Sequence, residues 1–148
     1  ESPGDRSRSP ALRRARHPAM IVDSSAVLAI LFDEEGAETF ARILTEADSC
    51  RMSAANFVEV AIVVEAQTKN SGSRQFDAFF RRAGIVIEPV TEEQAHIARQ
   101  AYTDFGKGRH PAGLNFGDCF AYALAKASGE SLLFKGQDFK KTDIASAL

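Results

Sequence analysis

The sequence predicts an α/β protein whose central sheet is mainly parallel. Short apolar runs alternate with longer segments of helical periodicity along the chain, which is the pattern of strand–helix–strand units. The chain has 148 residues, 45% of them apolar and 26% charged, as in an ordinary single globular domain. It has no uncharged apolar stretch of about 18 residues, so a membrane span is not expected.

The first strand is predicted at Met20–Asp23, an apolar run that ends at a carboxylate. A short helix is expected to begin at Ser24 or Ser25, because hydroxyl residues favour helix starts. The segment Gly36–Asp48 carries apolar residues three and four positions apart, so it is predicted to be a second helix.

The middle of the chain continues the alternation. Cys50–Ser53 is predicted to be a short strand, and the apolar segment Ala54–Thr68 a helix. A polar stretch ends that helix, and phenylalanines at helical spacing predict another helix over Ser73–Ala83. The β-branched run Ile85–Val90 predicts the next strand.

The last third contains two helices separated by a glycine-rich loop. Glu92–Phe105 is predicted to be helical, and Gly106–Gly117 is predicted to be the loop. An alanine-rich helix is expected at Asp118–Ser128 and ends before Gly129, followed by a strand at Leu132–Lys135.

Residues 1–19 differ from the rest in composition. They contain three of the five prolines, with five arginines against two acids, which gives a net charge of +3; the whole chain carries −2, so the remainder carries −5. We expect this segment to be a disordered tail outside a domain that spans residues 20–148. The favoured interpretation is vector sequence or an upstream extension ahead of Met20, and the alternative is a basic arm that binds nucleic acid.

The two cysteines, Cys50 and Cys119, lie within apolar patterns and have neither CxxC nor zinc-finger spacing. This indicates buried free thiols in a reducing compartment, and we therefore expect a cytoplasmic protein.

Four acids stand where an active site would be built. Asp23 ends the first strand, and sites in open α/β sheets form at the carboxyl ends of strands. Glu59 lies within the most apolar helix, Asp118 begins a helix, and Asp138 follows the last strand. Each has a simpler interpretation: a helix cap for Asp23 and Asp118, a solvent-facing position for Glu59 and a turn for Asp138. Together they suit Mg²⁺ or Mn²⁺ better than zinc, since all are hard oxygen donors.

Four segments carry a family resemblance, in this order: IVDSSA at residues 21–26, SAANFVE at 53–59, GKGRHPAGLNFGDC at 106–119 and LLFKGQDF at 132–139. With them, Met20–Ile144 resembles the PIN-domain ribonucleases, and specifically the VapC-type toxins of bacterial toxin–antitoxin pairs. Ser24 replaces the usual threonine, a change that keeps the hydroxyl, and Gln137 stands where many relatives carry Asn or Asp.

The resemblance implies an Mg²⁺-dependent endoribonuclease, with Mn²⁺ able to substitute, that cleaves specific tRNA or rRNA and inhibits translation. By position, the catalytic and metal-binding acids would be Asp23, Glu59, Asp118 and Asp138. Ser25 and Asn115 would support them. The implied partners are an RNA substrate, a VapB-like antitoxin and a second copy of the chain, in a homodimer or a heterotetramer or larger assembly with the antitoxin.

The net negative charge of residues 20–148 is unfavourable for RNA binding, because phosphate contacts normally come from lysine and arginine. Local charge is therefore more informative than the sum. Lys107, Arg109 and His110 lie in the glycine-rich loop just before Asp118, and we expect them to hold RNA phosphates across the acidic site. A solvated loop without this role is the alternative for Lys107 and Arg109, and a bystander role for His110.

Two other functions stay open from the sequence. One is a PIN-like module that has kept the fold for partner binding without catalysis, since fold does not determine function. The other is an aspartate-dependent phosphotransfer domain, although the IVDSS opening lacks the DxD spacing that an aspartate-nucleophile phosphatase uses.

Overall fold

The computed structural model describes residues 18–148, and the predicted tail lies, over residues 1–17, outside the described residues. A four-stranded parallel sheet forms the centre, with strand order β3-β2-β1-β4. Its strands are β1 Met20–Val22, β2 Cys50–Ser53, β3 Val86–Glu88 and β4 Ser131–Leu133. The α/β fold with a parallel sheet is therefore confirmed.

Six helices and a short 3₁₀ turn connect and flank the strands. They are α1 Ser24–Leu31, α2 Ala37–Glu46, α3 Ala54–Gln67, α4 Asn70–Ala83, α5 Glu92–Phe105, α6 Phe116–Ser128 and the 3₁₀ turn Asp138–Lys141. Every predicted helix and strand is present in the described part of the chain, with boundaries that shift by a few residues.

The largest boundary error is at the start of α4. Helix α4 begins at Asn70, three residues before the predicted Ser73, because the polar stretch that was expected to be a loop is already helical. Thr68 ends α3 by donating its hydroxyl to the Val64 carbonyl at 2.6 Å, and the chain re-enters a helix at once. The buried Gly72 packs against Thr68, so a side chain at this position would collide with it.

Strand β1 is the centre of the sheet. It pairs with β2 through Met20 and Cys50, and with β4 through Ile21 and Leu132, and all three of its residues are buried. Because the strands are parallel, their carboxyl ends lie at one edge. The residue after β1 is thereby placed in the middle of that edge.

The core lies on both faces of the sheet. Met20 and Val22 point into the cluster beneath α1–α4, while Ile21 points into the cluster beneath α5 and α6, as the two-residue period of a strand requires. The first cluster includes a group of phenylalanine rings from α3 and α4, with centroids 4.9–5.2 Å apart. Two independent layers therefore hold β1 in place.

Within residues 18–148, no helix has the length and apolar character needed to cross a bilayer. Cys50 and Cys119 are buried free thiols, as predicted.

Candidate active site

Asp23 follows β1 directly and is almost fully buried, with 3% of its surface exposed. Its Oδ2 accepts hydrogen bonds from the Ser25 backbone N–H at 3.0 Å and from the Ser25 hydroxyl at 2.6 Å. Asp23 is thus also the N-cap of α1. The capping interpretation is therefore confirmed, and it is compatible with the predicted site role, which stays a prediction.

Ser25 connects Asp23 to the far side of the sheet edge. Its Oγ donates to Asp23 and accepts from the backbone N–H of Lys135, just beyond β4, at 2.9 Å. The Lys135 side chain forms an ion pair with Glu34 at 2.8 Å. Ser25 therefore fixes the rotamer of Asp23, which is the supporting position that the resemblance implies.

Burial raises the pKa of Asp23 to about 7. The hydrogen bonds from Ser25 oppose this rise, while the nearby carboxylates of Asp118 and Glu59 add to it. A group tuned in this way, at the end of a central strand, is characteristic of functional sites.

Glu59 extends from α3 toward the start of α1. Its Oε1 accepts the Ser24 hydroxyl at 2.6 Å and the Asn56 side-chain N–H at 3.1 Å. The alternative of a solvent-facing Glu59 is wrong, because the carboxylate is bound by groups of the protein. Gly117 packs against it so closely that a Cβ at that position would lie 2.7 Å from Oε1.

Asp118 lies in the first turn of α6 and does not begin that helix. The helix begins at Phe116, and Asn115 is its N-cap. Asn115 Oδ1 accepts from the Asp118 N–H at 2.8 Å, and Asp118 Oδ2 accepts from the Asn115 N–H at 3.1 Å. This reciprocal capping box corrects the prediction that the helix starts at Asp118. The Asn-x-x-Asp spacing was the signal that would have revealed it.

The pKa of Asp118 is raised as well. Burial is the main cause, and the negative charges of Asp138 and Glu59 contribute. The pKa of Asp118 is therefore affected by the charge of Glu59 on α3 and by that of Asp138 beyond β4. Asp23, Glu59 and Asp118 come from three separate elements and meet at one edge of the sheet.

Asp138 is the outermost of the four acids. It is exposed, at the first position of the 3₁₀ turn, and reaches the site through its charge on Asp118. Among residues 18–148, no three acidic, histidine or cysteine side chains are grouped tightly enough to form a metal cage. The donors nevertheless suit Mg²⁺ or Mn²⁺, because they are all oxygens and their mutual repulsion would be relieved by a divalent cation.

The glycine-rich loop holds its three basic residues differently. Lys107 is exposed and bonds through its main chain, its N–H donating to the Leu114 carbonyl at 2.9 Å. The guanidinium of Arg109 lies over the ring of Tyr102, 5.7 Å from its centroid. His110 accepts the Ala112 N–H at Nδ1, which makes it part of the turn. RNA binding by the three stays a prediction.

The sequence reasoning missed two residues of the site, Ser24 and Asn56. Both lie inside the quoted motifs, and both bond to Glu59. The available signal was a polar amide three positions before an acid within an apolar helix, which places the two side chains on one helix face.

Comparison with known proteins agrees with this geometry. The PIN domain family model matches residues 20–145. The chain is 51% identical over 128 residues to the VapC ribonuclease Mb0640 of Mycobacterium bovis, covering 86% of this chain and 97% of that protein. It is 52% identical over 130 residues to ribonuclease VapC28 of Mycobacterium tuberculosis, covering 87% and 98%.

Solved structures share the fold at low sequence identity. VapC20 of Mycobacterium tuberculosis, described as a sarcin-ricin loop cleaving toxin, superposes with a TM-score of 0.69 at 16% identity, over 85% of this chain and 96% of that one. A chain of a toxin–antitoxin complex from Klebsiella pneumoniae gives 0.64 at 11% identity, over 87% and 98%. Family model, curated relatives and fold agree: the chain belongs to the PIN-domain family, among the VapC ribonuclease toxins of toxin–antitoxin systems.

Proposed function

We propose that the chain is an Mg²⁺-dependent endoribonuclease, with Mn²⁺ able to substitute, that cleaves specific tRNA or rRNA and so inhibits translation. The observation that carries the proposal is the meeting of Asp23, Glu59 and Asp118 at the carboxyl edge of the sheet, with Asp23 buried and its pKa raised to about 7. Relatives named ribonucleases at about half identity support RNA as the substrate.

The chain's own residues would hold the cation. Asp23 and Asp118 are proposed as direct ligands, and Glu59 and Asp138 as ligands either directly or through water, since Mg²⁺ keeps several of its waters. When bound, the metal supplies an activated water and neutralises charge on the phosphodiester oxygens. Ser25 keeps the Asp23 carboxylate in one orientation, and Asn115 does the same for Asp118.

RNA is proposed to contact the loop between α5 and α6. Lys107 and Arg109 are exposed there, and within residues 18–148 neither forms an ion pair with a carboxylate. Their charges are therefore free to contact phosphates. His110 contributes through the shape of the loop, because its Nδ1 is used within the turn.

A VapB-like antitoxin is the proposed inhibitor, and solved relatives in toxin–antitoxin complexes support such a partner. An apolar groove of about 430 Å³ between α1, α2 and α4 is suited to an amphipathic segment of that partner. Ile30, Leu44 and Phe79 line the groove, and Arg82 stands among them.

A second copy of the chain is the proposed occupant of the face around Phe116. This ring is 80% exposed and separates two apolar depressions of about 430 and 300 Å³. Val58 and Ile62 on α3 are exposed beside it. A protruding aromatic next to apolar depressions is self-complementary, as a two-fold interface requires. Exposed apolar patches of this kind mark interaction sites.

Cleavage of a mixed tRNA and rRNA pool by the purified protein, free of antitoxin, tests the nuclease. It is run with Mg²⁺, Mn²⁺ or EDTA, beside Asp23→Asn and Asp118→Asn. We expect discrete fragments that need metal and disappear in both variants. Cleavage that persists in the variants would overturn the proposal. Absence of cleavage on every RNA offered, including total RNA from a sensitive host, would favour the non-catalytic module.

The proposed place of action is the cytoplasm, where the RNA substrate and the antitoxin are made. Two buried cysteines kept as free thiols are consistent with that reducing compartment.

A further inference from the structure

Two buried donors hold the carboxylate of Glu59. The Ser24 hydroxyl donates to Oε1 at 2.6 Å, and the Asn56 side-chain N–H donates to the same oxygen at 3.1 Å. Ser24 is 6% exposed and Asn56 is fully buried. The carboxylate therefore has one fixed position instead of the many rotamers of a surface glutamate.

The same contacts join the segments that carry the other two inner acids. Asn56 also donates to the carbonyl of Gly117 at 2.9 Å, and Gly117 precedes Asp118. Ser24 follows Asp23, and its single hydroxyl hydrogen is shared between Glu59 and, as the longer arm at 3.3 Å, the Asn56 carbonyl. Three segments that are distant along the chain thus meet through two polar side chains.

Repulsion makes such a connection necessary. The carboxylates of Asp118 and Glu59 add to the elevated pKa of Asp23, and that of Glu59 adds to the elevated pKa of Asp118. Like charges at close range favour separation unless other contacts oppose it. The hydrogen bonds of Ser24 and Asn56 act between the elements that would otherwise move apart.

Stability alone does not explain Asn56. Its Oδ1 is buried without a hydrogen-bond partner among the described residues. Leaving a buried polar atom unpaired lowers the stability of the folded state, and an apolar side chain of similar volume would not carry that unpaired oxygen. A residue that costs stability and bonds to an active-site acid is expected to serve that acid.

We propose that Ser24 and Asn56 are positioning residues: with Gly117 they form a network that sets the separation of Asp23, Glu59 and Asp118 and thereby the affinity for the divalent cation. The inference rests on the proposed function, because it assigns to these residues the preorganisation of that metal site. Outer contacts that orient metal-binding side chains typically change metal affinity by 10–100-fold when removed.

The test is calorimetric titration of the metal-free full chain with Mn²⁺. Ser24→Ala and Asn56→Leu are each expected to weaken Mn²⁺ binding about 10-fold. Ser24→Thr keeps the hydroxyl and is expected to bind like the parent. Asn56→Leu keeps the volume of the side chain and removes the unpaired oxygen, which offsets the lost bond to the Gly117 carbonyl, so it is expected to fold even if Ser24→Ala does not.

Ser53→Ala is the matched control. Ser53 caps the same helix, α3, by accepting the Ala55 N–H at 3.2 Å. Loss of a cap lowers the stability of the folded protein. It is expected to lower the melting temperature and leave Mn²⁺ affinity unchanged, so a general loosening of α3 is separated from misplacement of Glu59.

Parental Mn²⁺ affinity in both Ser24→Ala and Asn56→Leu would overturn the proposal, as would an equal loss in Ser53→Ala. Failure of the proposed function is distinguishable, because the parent itself would then bind no Mn²⁺. In that case the network is judged by the ¹³C shift of the Glu59 carboxylate in EDTA. The proposal then requires that Asn56→Leu changes this chemical shift and that Ser53→Ala does not. Any other result overturns the proposal that the network positions Glu59.

Discussion

Asp23 is the residue at which stability and the proposed function conflict. The fold buries it between two layers of core, and this burial raises its pKa to about 7 from the 3.8 of a free aspartate. The native state therefore keeps a proton that the unfolded chain has already lost. Stability consequently falls as the pH rises from about 4 to 7, and it stays low above that range.

Asp23→Asn is expected to stabilise the metal-free protein at pH 8, because the amide needs no deprotonation and still accepts hydrogen bonds from Ser25. Each kcal/mol regained raises the melting temperature by about 3 °C. The melting temperatures of parent and variant are measured by thermal unfolding in EDTA at pH 4 and pH 8. The difference in melting temperature between them should be smaller at pH 4.

The exposed Asp77 on α4 offers a control for this charge change. Asp77→Asn removes one negative charge but no buried carboxylate. Its melting temperature is therefore expected to change with pH in the same way as that of the parent. An Asp23→Asn protein that melts below the parent at pH 8 would contradict the argument.

Gly117 is a second residue at which a small change is expected to disturb the site, because a single added carbon would collide with Glu59. Alanine there would bring a Cβ to 2.8 Å from Glu59 Cδ and closer to its oxygens, and Ser24 and Asn56 prevent an easy retreat. Gly117→Ala is expected to lower cleavage at least about 10-fold, in line with the loss of a contact that orients a ligand. The melting temperature is expected to fall as well, because the added Cβ collides with a carboxylate that is held in place, although alanine itself favours helix. Parental cleavage rates would show that Glu59 has room to move.

Local patterns predicted most elements, and distant packing decided the rest. The apolar run of β1 and the carboxylate after it were readable because both depend on adjacent residues. The bond from Ser24 to Glu59 spans 35 positions and that from Asn56 to Gly117 spans 61, so neither has a local signal. The four acids and Ser25 were therefore identified as candidates, whereas the contacts that hold Glu59 were not.

At the scale of an element, the loop between α5 and α6 is a rigid platform. Its ends are joined by a bridge between Gly106 and Leu114, and Leu114 is buried. Arg109 rests on Tyr102 of the preceding helix. The two basic side chains are thus presented from a fixed backbone and do not depend on a mobile loop.

Lys107→Ala and Arg109→Ala are each expected to weaken RNA cleavage through KM, since each removes one phosphate contact. A plot of the logarithm of the RNA-binding constant against the logarithm of salt concentration should become less steep by about one unit for each contact removed. Mn²⁺ binding should be unchanged, because neither residue is among the acids proposed to hold the cation. Lys126→Ala, which breaks an ion pair with Asp143 on another part of the surface, is the control. Equal cleavage by parent and loop variants would remove the loop from the RNA site.

At the scale of the molecule, the face around Phe116 adjoins the acids directly, since Gly117 and Glu59 line one of its two depressions. A dimer formed there would enclose one side of each active site. The net charge of the whole chain is −2, so the proposed contacts with RNA phosphates depend on local basic residues such as those of the loop.

Phe116→Glu is expected to convert a dimer to a monomer, because it places a charge at the centre of an apolar contact. Sedimentation equilibrium or light scattering measures the change. Val86→Glu, on the exposed edge strand β3, changes a comparable exposed apolar residue and is expected to leave the dimer intact. A parent that is monomeric at micromolar concentration would contradict the assignment of this face.

The position of β4 next to β1 has a consequence for synthesis on the ribosome. The support that Ser25 receives comes from Lys135, and the last acid is residue 138, while the first is residue 23. At about 5–20 residues per second, on the order of ten seconds separate the appearance of the two ends of the site. During that interval the nascent chain lacks the last strand and the last acid, so the proposed cleavage activity is expected only after the final strand docks.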